Sequence, residues 1–184
     1  MNNTYITTPI YYVNDVPHVG HAYTSIACDA LARFYRLKGS DVFFLTGTDE
    51  HGLKIQQATK KKNVDTQSFV DNMSLNFQNL SKNLNLSNND FIRTTSQKHK
   101  KSVQSFWNKL VENNQIYLDK YSGWYSIRDE AFYSEDEIID GKAPSGSDVE
   151  WVEESSYFFK LSSWENNLLE FYKENPDFVK PKSR

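Results

Sequence analysis

The first fifty residues alternate between two short strand-like runs and one long helical pattern, and this order limits the possible folds more than any other feature. The segment YITTPIYY (5–12) is β-branched and aromatic, which is typical of a buried strand. A helical pattern follows from Val19 to Leu37, and Gly39 is suited to a left-handed helix cap. The run VFFL (42–45) predicts a second buried strand. Strand, helix and strand in this order predict a βαβ unit and an α/β fold with a parallel sheet.

Apolar residues recur at helical spacing in three segments, and we expect each stripe to face the protein core. Asp65 and Ser96 are suited to cap the second and third of these helices, and a further helix is expected from Leu53 to Lys62. The three stripes are, in chain order, Ile26, Ala27, Ala30, Leu31 and Phe34; then Phe69, Met73, Phe77, Leu80 and Leu84; then Val103, Phe106, Trp107, Leu110 and Val111.

The pattern changes near Tyr117, where aromatic residues begin to alternate with polar ones. A turn-rich stretch, GKAPSGSD (141–148), separates two such alternating segments, and a short helix is expected near 164–173. The sequence therefore predicts two domains. The first is an α/β domain over residues 1–116, and the second is a small antiparallel β module over residues 117–184.

Composition excludes several classes of protein. A formal net charge of −3 gives no global basic field, so any nucleic-acid contact must be local. The single cysteine, Cys28, excludes an internal disulfide and a multi-cysteine metal site. The N-terminal segment lacks the pattern of a signal peptide, and no apolar run is long enough to span a membrane. A cytoplasmic location is therefore expected.

Two polar motifs follow the two predicted strands. HVGH (18–21) opens the first helix and GTDEHG (47–52) ends the second strand, so both should lie at the carboxyl edge of the sheet, where ligands bind. His18 and His21 are one helical turn apart, and Gly20 allows a ligand to approach the backbone. This arrangement favours a phosphate site. An ordinary pair of surface or core histidines, or a metal-chelating pair, remains possible from the spacing alone.

The run TPIYYVNDVPHVGH together with GTDEHG resembles the N-terminal half of the methionyl-tRNA synthetases, which are class I aminoacyl-tRNA synthetases. HVGH is similar to the HIGH signature of that class, and GTDEHG to a second signature of the methionine enzymes. Residues 117–184 resemble part of the connective module that is inserted into the catalytic fold. The resemblance implies a Rossmann-like nucleotide-binding first half over residues 1–116, and an enzyme that makes methionyl-adenylate from methionine and ATP, with Mg²⁺, before transfer to tRNA.

The same resemblance implies roles for individual residues. His18 and His21 match the histidines that hold the ATP phosphates and stabilise the adenylation transition state. Gly20 matches the glycine on which adenine stacks. Three further residues match the methionine site: Asp49 holds the amino group, Ile10 lies near the backbone of the amino acid, and Tyr12 forms part of the side-chain pocket.

The sequence departs from the family in its connective module. Many members carry a zinc knuckle there, with paired cysteines. This chain has Ser126 and Asp129 where a Cys-x-x-Cys would be expected, and APSGS at 143–147 where the partner ligands would lie. Hydroxyls and one carboxylate do not make a structural zinc site, so no structural zinc is predicted. The module is expected to hold itself by aromatic packing instead.

The resemblance also implies that the family's second half, with its KMSKS loop and anticodon-binding domain, lies outside these 184 residues. We therefore expect the isolated chain to be inactive. We also expect it to expose a strand edge or an apolar face, and to self-associate.

Two other functions remain open from the sequence. One is a small nucleotidyltransferase, which would leave GTDEHG and the second module without a purpose. The other is a truncated, non-catalytic synthetase-like module that binds a nucleotide, tRNA or a protein. A sister specificity for leucine, isoleucine, valine or cysteine also remains open, although GTDEHG favours methionine.

Overall fold

The computed structural model describes residues 3–183, apart from the side chains of residues 58 and 62. The chain divides into two compact units, Met1–Ser105 and Phe106–Arg184, and the division falls within a helix. The domain boundary after residue 116 stays a prediction. The helices and strands are, in chain order, β1 (Asn3–Thr7), β2 (Tyr11–Tyr12), α1 (Val19–Leu37), β3 (Asp41–Asp49), α2 (Leu53–Lys62), α3 (Thr66–Asn83), β4 (Asp90–Arg93), α4 (Gln97–Glu112), β5 (Ile116–Ser126), β6 (Ala131–Tyr133), β7 (Glu150–Phe159) and α5 (Glu165–Glu174), with 3₁₀ turns at Glu135–Glu137 and Leu161–Trp164.

The first unit is built on the predicted parallel sheet, with β3 at its centre. Leu45 pairs with Thr7 on one side and with Asp90 on the other, so β1 and β4 flank β3. β2 continues on the β1 side, where Tyr11 pairs with Thr48. All three pairings are parallel, and their carboxyl ends therefore meet at one edge of the sheet.

The single strand predicted over residues 5–12 is wrong, because the chain breaks into β1 and β2. Thr8 still donates its backbone N–H to Leu45 O over 3.1 Å, and its hydroxyl lies 2.8 Å from that of Thr46. Pro9 has no N–H and cannot continue the ladder. The two halves of the strand are thus separated by an irregular segment, Thr8–Ile10.

Helix α1 has the predicted limits, and Gly39 has the predicted left-handed conformation with φ +85°. Its predicted apolar face is wrong. Ser25, Asp29 and Ala32 face the sheet and are buried, whereas all five residues of the predicted stripe are exposed.

Hydrogen bonds make the polar face of α1 suitable for burial. Asp29 accepts from Ser87 N and Ser87 Oγ, both at 2.6 Å, and from Arg33 Nε at 2.7 Å. Ser25 Oγ lies 2.8 Å from Tyr11 Oη. Because these polar groups are satisfied, their burial costs little, and small side chains let the helix approach the sheet closely.

The other two predicted stripes differ in outcome. On α3, Phe77 is buried and the other four stripe residues are half-buried, and Phe77 joins a core with Tyr11, Val13, Ile55 and Val70. On α4, every stripe residue except Leu110 is exposed, so the expectation of a core-facing α4 is wrong. Helical periodicity shows that one face of a helix favours an apolar neighbour. It does not show which part of a protein supplies that neighbour.

The far face of the parallel sheet has little cover among residues 3–183. Tyr5 on β1 and Phe43 on β3 are 63% and 46% exposed, and their rings stack with centroids 6.0 Å apart. In contrast, Ile6, Val42 and Phe44 point to the α1 side and are buried. The sheet of the first unit is therefore packed on one face only.

The second unit contains the predicted antiparallel sheet, in the order β6-β5-β7. Predicted aromatic packing is present across it: the Trp124 and Trp151 rings lie 5.4 Å apart, and the Tyr125 and Phe132 rings 4.8 Å apart. No helix over residues 3–183 is both long enough and apolar enough to cross a membrane.

Candidate active site

The two predicted histidines meet at the start of α1. His18 is the N-cap, and its Nδ1 accepts a hydrogen bond from Gly20 N at 3.1 Å. His21 Nδ1 accepts from His18 N at 3.0 Å, which completes a reciprocal capping box. The two ring centroids are 3.9 Å apart. The cap thus satisfies two backbone donors with side chains that differ from the usual serine and glutamate.

This cap has a chemical consequence for both rings. A neutral imidazole carries one proton, and a nitrogen that accepts a hydrogen bond cannot carry it. Because both Nδ1 atoms accept, the geometry assigns the proton to Nε2 in His18 and in His21. Two Nε2–H donors therefore lie at the positive end of the α1 dipole, an arrangement suited to an anion.

His21 is held by two aromatic residues that the sequence did not single out as site residues. The Tyr11 ring contacts it edge-on at 4.8 Å, and the Phe77 ring does so at 5.2 Å. Tyr11 Oη also contacts His21 O at 3.3 Å. Burial, followed by the nearby His18, lowers the pKa of His21 below its ordinary value of 6.5. His21 is therefore neutral at physiological pH and keeps the assigned Nε2–H donor.

Gly20 is required by its contact with His18. A Cβ at this position would lie 2.9 Å from His18 Cε1 and 3.1 Å from His18 Nδ1. Any larger residue would push the His18 ring away from the helix end, so the glycine keeps the capping geometry as well as the exposed backbone.

The three residues predicted for the amino acid site lie on and before β2 and at the end of β3. Tyr12 pairs with Asp49 in the parallel register, and Ile10 is 40% exposed just before them. Successive strand residues point to opposite faces. Tyr12 and Asp49 therefore lie on the face opposite to Tyr11 and Thr48, whose side chains contact α1 and α3.

The structure thus brings the predicted residues together in two groups at the same sheet edge. One group is the histidine cap with Gly20, on the α1 side. The other is Asp49 with Tyr12. Gly52 belongs beside the second group, because a Cβ there would lie 2.4 Å from Tyr12 Oη and its φ of +132° is open only to glycine.

Sequence reasoning gave no role to Glu50, which proves to be the centre of a buried cluster. We call this cluster the Glu50 network; it comprises Thr48, Glu50, Asp71, Arg93 and Thr95. The Glu50 side chain has no exposed surface. Adjacent His51 places Nε2 3.4 Å from Thr94 O, so it contacts the backbone of the same region.

The positions that match the zinc knuckle form a hydrogen-bonded group of their own. We call it the Asp129 cluster; it comprises Ser126, Asp129, Tyr133, Ser145 and Ser147. Asp129 Oδ2 accepts from Tyr133 Oη at 3.0 Å, from Ser147 Oγ at 2.5 Å and from Ser145 Oγ. The oxygens of this cluster hydrogen-bond to one another, and structural zinc sites are built from sulfur and nitrogen ligands, so these residues do not fit a structural zinc ion.

Comparisons with known proteins agree with this fold. The family model described as tRNA synthetases class I (M) matches residues 4–150. Methionine–tRNA ligase from Rickettsia conorii is 60% identical over all of this chain, which spans 37% of that protein. The enzyme from Rhizobium meliloti is 54% identical over 98% of the chain, which spans 36% of it.

A solved structure extends the agreement to three dimensions. Mycobacterium tuberculosis methionyl-tRNA synthetase in complex with methionyl-adenylate superposes with a TM-score of 0.91 and 47% identity. The alignment covers 100% of this chain and 37% of that one.

The parallel sheet is that of a class I tRNA synthetase, and this chain belongs to that class. Within the class it belongs to the methionine family, since relatives at 54–60% identity are methionine–tRNA ligases. The chain spans little more than a third of the length of these relatives.

Proposed function

We propose that this chain acts as the N-terminal part of a methionine–tRNA ligase, which activates methionine with ATP and transfers it to tRNA. The observation that carries the proposal is the histidine cap, whose two Nε2–H donors lie at the N-terminus of α1 next to the exposed residue Gly20. The family relationship supports methionine as the amino acid and ATP as the nucleotide.

Adenylation needs no protein nucleophile. A carboxylate oxygen of methionine attacks the α-phosphorus of ATP, a new P–O bond forms, and the bond to the β-phosphate oxygen breaks to release pyrophosphate. Negative charge on the phosphate oxygens shifts during this step. His18 and His21 would donate Nε2–H hydrogen bonds to these oxygens, and the α1 dipole adds to their effect. Gly20 would leave a flat surface for adenine.

Methionine would bind at the second group of residues. Its ammonium group would pair with the Asp49 carboxylate, because a cation withdrawn from water requires a counter-charge. Tyr12 would pack against the thioether and Ile10 would lie near the backbone of the amino acid. Attack on ATP requires that both groups of residues serve one crevice at the sheet edge.

Metal requirements follow from the available ligands. Over residues 3–183, no three His, Cys, Asp or Glu side chains gather in a way that could hold a metal ion. Magnesium would therefore arrive with ATP, bound by its phosphates. We propose that the second unit contains no structural zinc, because the Asp129 cluster offers hydroxyls and a single carboxylate.

The sharpest test uses the full-length protein and ATP–pyrophosphate exchange with methionine. His21→Ala is expected to lower the exchange rate by about 10²–10³-fold, the usual cost of one transition-state donor. Asp49→Asn is expected to raise the KM for methionine and to leave that for ATP near its original value. His99→Ala, on α4, is the matched control. Exchange by the wild-type protein that needs no amino acid would favour a nucleotidyltransferase instead.

We propose further that the isolated 184-residue chain does not form the adenylate and self-associates through the uncovered face of its sheet. The exposure of Tyr5 and Phe43 supports the proposed self-association. Sedimentation of this chain should show concentration-dependent oligomers, and Tyr5→Ser with Phe43→Ser should reduce them. A wild-type monomer at high concentration would contradict this proposal. Binding of ATP or tRNA without turnover by the full-length protein would favour a non-catalytic module.

One partner and one location follow from the proposed activity. Methionine tRNA is the second substrate of the full-length protein, and the cytoplasm is the compartment in which we propose that it acts. Fractionation of cells that express the full-length protein, followed by detection of aminoacylated tRNA, tests both statements.

A further inference from the structure

Glu50 immediately follows Asp49, and its environment differs from that of every other carboxylate described above. Its Oε1 accepts from Arg93 Nε and from Thr48 Oγ1, both at 2.7 Å. Its Oε2 accepts from Arg93 Nη2 at 2.9 Å and from Thr95 Oγ1. The Glu50 backbone N–H also donates to Thr94 Oγ1 at 2.9 Å. Both oxygens and the amide of this residue are therefore fixed.

The charge of Glu50 is stable despite its burial. Desolvation acts to raise the pKa of this carboxyl, but hydrogen bonds from Arg93, Thr95 and Thr48 outweigh it and leave the pKa below its ordinary value. Arg93 in turn contacts Asp71 on α3 at 2.5 Å. A bidentate pair of this kind fixes orientation as well as distance.

The network connects three segments of the first unit. Glu50 lies in the turn after β3, Arg93 and Thr95 lie at and after the end of β4, and Asp71 lies on α3. The turn continues to Gly52, which contacts Tyr12. Asp49 and Gly52 therefore lie one and two residues from a side chain that is held through both of its carboxylate oxygens.

The histidine cap is held by contacts of its own. Its contacts are the reciprocal bonds between His18 and His21 and the aromatic rings of Tyr11 and Phe77. The Glu50 network reaches this cap indirectly, because Asp71 shares α3 with Phe77 and Thr48 pairs with Tyr11. Asp49, in contrast, is the covalent neighbour of Glu50. We therefore expect a disturbance of the Glu50 network to affect the amino acid group more than the phosphate group.

We propose that Glu50 is a positioning residue for amino acid binding. Through its ion pair with Arg93 it sets the place of the Asp49 carboxylate and the depth of the pocket between Tyr12 and Gly52. Glu50 itself does not touch the substrate. This inference rests on the proposed function, since it assigns the role within the proposed methionine site.

The experiment uses the full-length protein and begins with wild-type ATP–pyrophosphate exchange. Absence of methionine-dependent exchange in the wild type would overturn the proposed function and with it this inference. With exchange present, Glu50→Gln is compared with wild type. Gln keeps the size of Glu and removes the charge. The KM for methionine is expected to rise by about tenfold, since small misplacements of binding groups carry costs of this order. The KM for ATP is expected to change by less than about twofold, because the Glu50 network contacts the histidine cap only indirectly.

Asp90→Asn is the matched control. Asp90 is a carboxylate on β4 that pairs with Lys98 at the protein surface, and its change should leave both KM values unaltered. Equal increases in the two KM values with Glu50→Gln, or an unchanged KM for methionine, would overturn the proposal and leave Glu50 a structural residue only.

Arg93→Lys covers the case in which Glu50→Gln does not fold. Lys keeps the charge and loses the bidentate geometry. The KM for methionine should again rise more than the KM for ATP. Reversion of the lysine to arginine should restore the original KM for methionine. A methionine KM equal to that of wild type in Arg93→Lys would overturn the proposal.

Discussion

Each unit of this protein has a carboxylate at the centre of a hydrogen-bond group, and the two groups differ in their partners. In the first unit, Glu50 is fully buried and faces the guanidinium of Arg93. In the second, Asp129 is half-buried and accepts from the hydroxyls of Ser145, Ser147 and Tyr133. A fully buried charge requires a counter-charge, whereas one that keeps contact with water can be satisfied by dipoles.

Both arrangements lower the pKa of the central carboxyl, by different means. For Glu50 the hydrogen bonds must overcome a large cost of burial. For Asp129, hydrogen bonds from Ser145 and Ser147 dominate and bring the pKa to about 2. We therefore expect the removal of one partner to destabilise the Glu50 network strongly. The removal of one partner should destabilise the Asp129 cluster only slightly.

The largest effect is expected from Arg93→Ala, which leaves the Glu50 charge buried and unpaired. Loss of one partner of a buried pair costs about 3–5 kcal/mol. Amide hydrogen exchange in the full-length protein should show this as a lower free energy of opening for β4 and the turn after β3. Lys98→Ala removes an exposed ion pair and serves as the control, with an expected cost of about 0–1 kcal/mol. Equal amide protection in the two variants would contradict the expected difference between buried and exposed carboxylates.

Next in size is Gly52→Ala, which tests the wall of the proposed amino acid pocket. The new Cβ would collide with Tyr12 Oη and would occupy a backbone conformation that costs about 1–3 kcal/mol. The KM for methionine should rise with little change in that for ATP. Gly39→Ala is the control, because Gly39 also has positive φ but nothing lies within 4 Å of the added Cβ. A methionine KM that rises equally in both variants would show that backbone strain, and not Tyr12, is responsible.

A smaller effect is expected from Asp129→Asn in the second unit. Because the folded pKa of Asp129 is below its ordinary value of 3.8, its contribution to stability is complete above that value and is lost as the pH falls through about 2. Near-ultraviolet circular dichroism of Trp124 and Trp151 should show a lower melting temperature for the variant at neutral pH. The difference from wild type should shrink in acid. Asp119→Asn is the control, because Asp119 lies on β5, the strand that leads into the turn with Asp129.

The smallest effect is expected from metal chelation. If the Asp129 cluster replaces a zinc ion, dialysis of the full-length protein against EDTA should leave the melting temperature of the second unit unchanged. Elemental analysis should find less than one zinc per chain. A fall in melting temperature that zinc restores would contradict the proposed absence of structural zinc.

Much of the fold follows from local signals in the sequence. The limits of α1 and α2 and the cap at Asp65 match the predictions, because capping and periodicity are encoded within a few residues. The inward face of α1 could not be predicted in this way. Asp29 becomes suitable for burial only through Ser87, which lies far along the chain, so an exposed-looking carboxylate proves to face the sheet.

The candidate site shows the same limit. The histidine pair could be found from the sequence because both residues lie within one helical turn. Their supports, Tyr11 and Phe77, and the partner of Glu50, Arg93, come from separate elements. A motif gives the residues that meet the ligand, whereas the residues that hold them depend on topology.

The break at Pro9 is followed by two neighbouring tyrosines that face opposite sides of the sheet. The Tyr11 ring contacts His21, while Tyr12, the next residue, pairs with Asp49. A slip of β2 by one residue against β3 would reverse the faces of both tyrosines. The length of the irregular segment Thr8–Ile10 therefore helps to keep Tyr11 beside the histidine cap.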